Sequence, residues 1–526
     1  MKLLSIVLVF FQGCLVSFAQ SGAGLFNDTV LHQLFIETAI PNWFDTLEND
    51  YKLNVSNNEL YPEKYRPCKL VWDGIELDGC GFREKGNSSN TLTTKGKKKP
   101  FKLSFDEFGS NQLYGLKKLN LNNFTNDPSL LHDVLSFKLM RDAGLVAPRT
   151  TYTKLWVNGE YIGLYLAIEN VDKTFLKLHY GSDNNNGNLY KTDRDASVPL
   201  KWLGTDSQPY KKQKLKLTTN EKADDWSKLI NFINLVNNDS TPEFKQKLEA
   251  CFDVQSYLKI LANEKCLRSF DSYWGGGNNF YLYEHPDGLI RWIPWDMNET
   301  FQDLKRLSQT SLLDGYLVPA NKFDDRPLLR RIFEIEEYKT EYFNYVCELI
   351  HSTFTLDHLG KFAVMQHQLV DDAYRTDPYR YNSYEAFDRS LSDEHIDNFS
   401  LNNSAYVLRL RYPGIFPFIE SQRNWVVDQL QGWAYTCAIM EPIVYNLQLF
   451  PNPAIDAVTV LNNSKDFDFA LLIIYDMTGK VVYKSNNMIL EGDSFKIAIN
   501  NLASGMYLVV KLSSNGNFGK AKLLVN

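Results

Sequence analysis

Histidine and cysteine are scarce, with 8 and 7 residues in a chain of 526. No Cys-x-x-Cys or His-x-x-x-His spacing brings them together, which argues against a structural zinc site. After the N-terminus there is no long apolar run, so no segment there reads as a membrane-spanning helix. Positive charge is not in excess either: 56 Lys and Arg stand against 63 Asp and Glu, a net charge of −7. The chain as a whole therefore has no electrostatic reason to hold nucleic acid or an anionic membrane, although a local basic run can act alone. The bias of a disordered chain is missing too, since 44% of residues are hydrophobic and 14% aromatic. A globular protein of two or three domains is expected from the length.

Residues 1–19 read as an export signal. Lys2 precedes the apolar run 3–11, and Ser17-Phe18-Ala19 is a small-x-small cleavage site. Cys14 offers a lipoprotein alternative, but Phe11-Gln12-Gly13-Cys14 is a poor lipobox. An exported chain permits disulfides. Cys68 and Cys80 flank a hairpin-like segment and are one candidate pair, and Cys251 with Cys266 is another, although that region reads as helical.

The main body reads as one α+β domain over residues 27–435. An amphipathic run at 30–40 is a lead-in helix or strand. Two strands with an Asp73-Gly74 turn span 69–85, a small-residue loop follows at 86–90, and the strand 101–105 alternates apolar and polar. Asp127-Pro128-Ser129 signals a helix start, and the helix runs to Asp142 and stops at Gly144. Asn158-Gly159 turns a hairpin of the runs 150–157 and 161–168. Residues 221–268 and 325–435 read as mainly helical. From about 446 to 526, short β runs separated by turn signals predict a small all-β sandwich. The basic run 95–99 reads foremost as a solvated loop, with attraction of an acidic substrate as the second reading.

Chemistry concentrates at 269–298. Asp271 precedes Gly275-Gly276-Gly277-Asn278-Asn279, two aromatic strands turn at Pro286-Asp287-Gly288, and Trp292-Ile293-Pro294-Trp295-Asp296 closes the unit. Folding about that turn returns Asn278 and Asn279 beside Trp295 and Asp296. Two carboxylates and two carboxamides then converge, an oxygen-rich set suited to Mg²⁺ with substrate phosphates. The order of parts before it is that of a kinase-type phosphoryl-transfer enzyme: a loop, a strand lysine, a helix, a hairpin with a connector, then acid–hairpin–acid.

Several stretches resemble the spore-coat-protein-H (CotH) kinase family. They are Gly81-Phe82-Arg83-Glu84-Lys85-Gly86-Asn87-Ser88-Ser89, Lys99-Pro100-Phe101-Lys102, Lys117-Lys118-Leu119-Asn120-Leu121, the run from Arg141 to Arg149, and Trp292-Ile293-Pro294-Trp295-Asp296. The resemblance implies an atypical protein-kinase-like fold, with a β-rich N-lobe and a helical C-lobe, and ATP-dependent phosphorylation of Ser or Thr hydroxyls. Asp271 would be the catalytic base and Asp296 the ligand for Mg²⁺, or Mn²⁺ in its place. Asn278 or Asn279, seven or eight residues past Asp271, would be the second ligand, with Asn298 a weaker substitute. Lys102 or Lys85 would meet the phosphates, helped by Ser88 and Ser89. Glu169-Asn170-Val171 would present backbone groups to adenine. Asp133 and Asp142 are the acids on the helix that would orient the lysine, neither compelling. A catalytically inactive surface-binding or adhesin module is the rival reading, and nucleotidyl transfer a third.

The C-terminal stretch Phe450-Pro451-Asn452-Pro453-Ala454, with Tyr475-Asp476-Met477-Thr478-Gly479-Lys480 and Leu502-Ala503-Ser504-Gly505-Met506-Tyr507, resembles a type IX secretion sorting domain of Bacteroidetes. That resemblance implies engagement of the type IX machinery and a secreted or outer-membrane-surface location, with an extracellular or surface protein as substrate.

Overall fold

Seven strands close a barrel: β1 (His32–Glu37), β2 (Arg66–Trp72), β3 (Ile75–Glu84), β4 (Phe101–Ser104), β5 (Lys118–Asn122), β6 (Thr150–Val157) and β7 (Glu160–Glu169), in the order β1-β2-β3-β4-β5-β7-β6. The computed structural model describes residues 22–56, 63–91, 96–193, 196–302, 326–400, 407–432, 435, 437, 444–461, 470–477, 480–485, 495–513 and 518–526. The export-signal and Cys14 readings lie outside the described residues.

The lead-in run is a strand. In β1, buried Leu34 and Ile36 alternate with exposed positions. β1 pairs antiparallel with β2 and parallel with β6, Leu34 lying opposite Leu155. The β-rich first part is therefore a closed barrel: the sheet closes on itself and keeps no open edge. Leu34, Trp72, Phe82, Phe101, Leu121 and Tyr165 fill the interior. The β6–β7 turn forms because Asn158 and Gly159 both take positive φ (49° and 81°), the conformation a two-residue type I′ turn demands.

A second sheet orders β11 (Ile290–Pro294), β10 (Phe280–Glu284), β8 (Leu189–Thr192) and β9 (Leu215–Leu217). The hairpin foreseen at the chain's chemical centre is β10–β11, with Phe280 opposite Pro294. Its neighbour β8 follows directly on the Asn- and Asp-rich loop at 182–188 and carries no strand signal of its own.

Eight helices lead to the site: α1 (Trp43–Ser56), α2 (Ser88–Thr91), α3 (His132–Asp142), α4 (Lys173–Tyr180), α5 (Gln208–Lys212), α6 (Ser227–Asn238), α7 (Phe244–Glu249) and α8 (Val254–Cys266). The loop expected at 86–90 contains most of α2. The third helix starts later than its Asp-Pro signal, yet Asp127 still serves it, accepting from the backbone N–H of His132 at 2.8 Å. Asp253 caps α8, accepting from Ser256 N–H at 3.2 Å. Further helices at Glu336–His351, Lys361–Arg375 and Ile415–Gly432 pack into the same core as α6 and α8. Toward the C-terminus two sheets enclose Val458, Leu472, Ile474, Ile497, Val509 and Leu523, the small sandwich read from the sequence.

The basic run is not a solvated loop. Lys97 pairs with Glu160 at 2.5 Å, Lys99 donates to Asn90 O at 2.8 Å, and Lys98 is buried against Asp377. Asp377 also accepts from the backbone of β7 at Leu164, so this buried pair ties the barrel to the helical part.

Neither expected disulfide forms. Cys68 and Cys80 are cross-strand partners but both stay free, with the Cys80 thiol turned toward Leu77 O and Phe105 O. Cys251 comes three residues before α8 and Cys266 ends it, and the 13 residues of the helix span about 20 Å, far beyond disulfide reach. The bridge joins Cys347 to Cys437 across 90 residues of sequence, with Cα atoms 5.6 Å apart. Non-reducing peptide mapping is expected to recover Cys347–Cys437 and no Cys68–Cys80 peptide. Cys347→Ser should lower stability in urea unfolding by up to about 4.5 kcal/mol, the chain-entropy scale for closing a loop of this length; an unchanged midpoint would deny the bridge its role.

Candidate active site

Where α8 ends, Arg268 takes φ 52° and turns the chain toward Asp271. Both oxygens of the Asp271 carboxylate are then occupied: Asn278 donates to one at 2.8 Å and Asn279 to the other at 2.9 Å, and Asn279 also holds Asp271 O at 2.7 Å. The glycine run makes this return possible. A Cβ on Gly275 would lie 1.8 Å from Phe270 O, and one on Gly276 would lie 2.3 Å from Asn278 Oδ1. Buried Arg326 braces the same loop, donating to Tyr273 O at 2.6 Å and Gly275 O at 2.5 Å.

Asp296 follows β11 with φ 56°. On one side the ladder extends one step past the strands, Trp295 N–H donating to Asn279 O at 3.2 Å. On the other, Asp133 of α3 accepts from Met297 N–H at 2.9 Å and from Asn122 at 3.2 Å. Asp133 therefore pins the left-handed turn at Asp296. Asp142, the other acid weighed on that helix, points elsewhere, to Lys138 and His358 at 2.6 Å each.

Both acids open into one cavity of about 420 Å³ between the barrel and the β8–β11 sheet. Asn278, Asn279, Asp133 and Glu299 line its acidic end, and Lys85, Arg83, Lys102 and Lys191 its basic wall. Burial raises the Asp271 carboxyl above its ordinary value, against the two asparagine hydrogen bonds. It raises Asp296 likewise, helped by the Asp271 charge and opposed by Lys85. Asp133 is pushed to about 7 by burial and then by Asp296, and Glu299 to about 7 by burial and by the Asp271 and Asp296 charges. Burial lowers Lys85 to about 8 although Asp296 attracts it. Lys102 is held well below the usual lysine range by burial and by its cationic neighbours Arg83 and Lys191.

The remaining expected residues divide. Lys85 lies over the Trp295 ring, 5.8 Å from its centre. Ser89 lines the cavity; the side chain of Ser88 lies outside the described residues. Val171 and Asn170 line it, whereas the Glu169 carboxylate is turned away into a pair with Arg149 at 2.6 Å and His179 at 3.3 Å. Asn298 reaches the cavity, and its backbone oxygen accepts from His132 at 2.8 Å. Among the described residues no three Asp, Glu, His or Cys side chains are spaced to hold a metal by themselves. One oxygen is ready for a cation, because Asn278 Oδ1 is buried without a hydrogen-bond partner. Sequence reading missed Glu299 and Arg326. Glu299 follows Asp296 by three positions on the same closing segment, which was a usable signal; nothing around Arg326 was.

The sequence profile of the CotH kinase protein family matches residues 82–407, from the strand that delivers Arg83 through both acids and into the later helices. The chain belongs to the CotH kinase protein family. It is similar to the inner spore coat protein H of Bacillus subtilis (strain 168), 26% identical over 316 residues that cover 59% of this chain and 82% of that protein. It is also similar to the inner spore coat protein H-like protein of the same strain, 22% identical over 285 residues, 53% of this chain and 76% of that one. Within this CotH chain the match begins inside β3, so the closing strand β1 precedes it. Residues 448–526 match the secretion system C-terminal sorting domain, which sends the protein through type IX secretion to the cell surface or beyond. No helix among the described residues is long and apolar enough to cross a membrane.

Asp133 gives this geometry a pH signature. Its carboxyl titrates near 7 in the folded protein and near 3.8 ordinarily, so the fold binds that proton more tightly than the unfolded chain does. The resulting stability is complete below the ordinary value and is lost as pH rises through about 7. Asp133→Asn removes the titration. In thermal melts from pH 5 to 8, the wild type is expected to fall by several degrees relative to the variant; parallel curves would show that Asp133 is not held neutral.

Proposed function

We propose that the cavity transfers the γ-phosphoryl group of ATP to the hydroxyl of a Ser or Thr in a protein substrate or in the chain itself. The observation that carries this is the convergence of Asp271 and Asp296 on one cavity that Lys85 and Lys102 also line. The barrel then serves as the upper lobe of a kinase-like architecture and the helical part as the lower.

Asp271 is the base. Burial makes its carboxylate a better proton acceptor than an exposed one, and the asparagine amides fix its orientation. The acceptor hydroxyl gives its proton to Asp271 as its oxygen bonds to the γ-phosphorus, and the bond from phosphorus to the β–γ bridging oxygen breaks. ADP leaves with its negative charge beside Lys85. Asp296 and the free Asn278 Oδ1 would hold Mg²⁺, or Mn²⁺, which supplies charge neutralisation on the phosphates. That free oxygen favours Asn278 over Asn279 as the ligand. Lys85 is favoured over Lys102 for the phosphates nearest the reaction, because Asp296 acts on it directly. Asn170 and Val171 edge the base end.

The rival, a surface-binding module without catalysis, draws on one observation: among the described residues no ion pair joins Lys85 to an acid of α3. Incubation with γ-labelled ATP and Mg²⁺ or Mn²⁺ separates the readings. The protein is expected to label itself or an added acceptor, and Asp271→Asn and Asp296→Asn to lower the rate by about 10²-fold or more. Absence of label, with no thermal shift from nucleotide, would favour the binding module; label from α-labelled ATP would indicate nucleotidyl transfer instead.

A further inference from the structure

The cavity offers a nucleobase very little. A purine is usually held between apolar or aromatic faces, with a few polar groups reading its edge. Among the described residues the apolar side chains on the cavity wall are Phe124, Leu166, Val171, Tyr281 and Trp295. The first four are already covered by the protein's own packing, at 7%, 1%, 4% and 3% exposure. Trp295 is half-buried, and the Lys85 ammonium lies 5.8 Å from the centre of its ring. Among the described residues the one apolar face still partly open is that of Trp295, and a cation already lies near it.

Cations occupy the wall instead, in a row set by strand register. Lys102 on β4 lies directly opposite Arg83 on β3 and, across its other edge, opposite Asn120 on β5. Lys85 stands two residues beyond Arg83, and residues two apart share a face of a strand. The row therefore runs outward from the reaction centre, Lys85 and then Arg83 with Lys102, while Lys191 reaches in from β8. Arg83 is paired with Glu63. Lys102 has no hydrogen-bond or ion-pair partner among the described residues, and the cations Arg83 and Lys191 act on it more strongly than the one anion there, Glu63, which is already paired with Arg83. Several phosphates in a chain would relieve that repulsion; a neutral ring would not.

We propose that this site selects its phosphoryl donor by the phosphate chain and is indifferent to the base, so that ATP and GTP are equivalent ligands and inorganic tripolyphosphate binds in their place. The proposal rests on the nucleotide reading of the same cavity. Lys102 is its specificity-determining residue, and it acts on the chain of phosphates distal to the transferred group.

Calorimetric titration of the full chain in Mg²⁺ with ATP, GTP, tripolyphosphate and adenosine tests this. ATP, GTP and tripolyphosphate are expected to bind within about tenfold of one another, a spread of about 1.4 kcal/mol, and adenosine about 100-fold more weakly or not at all. Lys102→Gln should weaken ATP and tripolyphosphate in parallel by about tenfold or more, and Lys102→Arg should restore both. If Lys102→Gln does not fold, the wild-type ligand series still decides. ATP favoured over GTP or tripolyphosphate by more than about tenfold would overturn base indifference and leave the nucleotide site standing. Failure of all four to bind would overturn both.

Discussion

Asp271 and Asp296 are half-buried in one cavity, and the two carboxylates there repel each other. Much around them answers that repulsion. Asn278 and Asn279 donate to Asp271, Lys85 faces Asp296, and Asp133 gives up its own charge near neutral pH while holding the backbone beside Asp296. Such an arrangement is costly for an empty protein and suits one that takes up a cation with phosphates. The positive φ at Arg268, Asn279 and Asp296 marks where the chain is bent to bring these groups together.

The fold supplies rigidity to each contributor from a different element. Asp271 comes from the turn after α8, Asp296 from just past β11, Asp133 from α3, and Lys85 from just past β3. The closed barrel keeps the cationic wall from flexing at an open edge, and the Lys98–Asp377 pair links that barrel to the helical part. Removing one partner of a buried pair of this kind is far more damaging than the pair is stabilising, which makes it a register device between the two parts. Outside the cell a bridge such as Cys347–Cys437 persists, in keeping with the sorting domain's destination.

Local chemistry was legible in the sequence; long-range closure was not. The β10–β11 hairpin could be read because a Pro-Asp-Gly turn separates two aromatic runs, and its register then carried Asn279 to Trp295 and so Asp271 toward Asp296. The β6–β7 hairpin was equally plain from Asn158-Gly159. By contrast, β1 closes the barrel by pairing with β6 more than a hundred residues away, and no local pattern encodes that partner. Cys347 and Cys437 meet for the same reason, through helices whose packing must be known first. The lysines at 97–99 looked solvated because each partner, Glu160, Asp377 or the carbonyl of Asn90, comes from another element or strand connection. Asp133 looked no better than Asp142 until the helix was oriented against β11.

The central proposal is that Asp296 and the unpartnered Asn278 oxygen would hold one cation beside a phosphate chain. Crystals grown with Mn²⁺ and a non-hydrolysable ATP analogue, read by the anomalous signal of manganese, address this directly. A peak about 2.1 Å from Asp296 and Asn278 Oδ1, with phosphate oxygens completing the shell and Lys85 beside them, is the expected result. A manganese peak elsewhere in the molecule, or phosphates bound with no contact to Asp296, would contradict it.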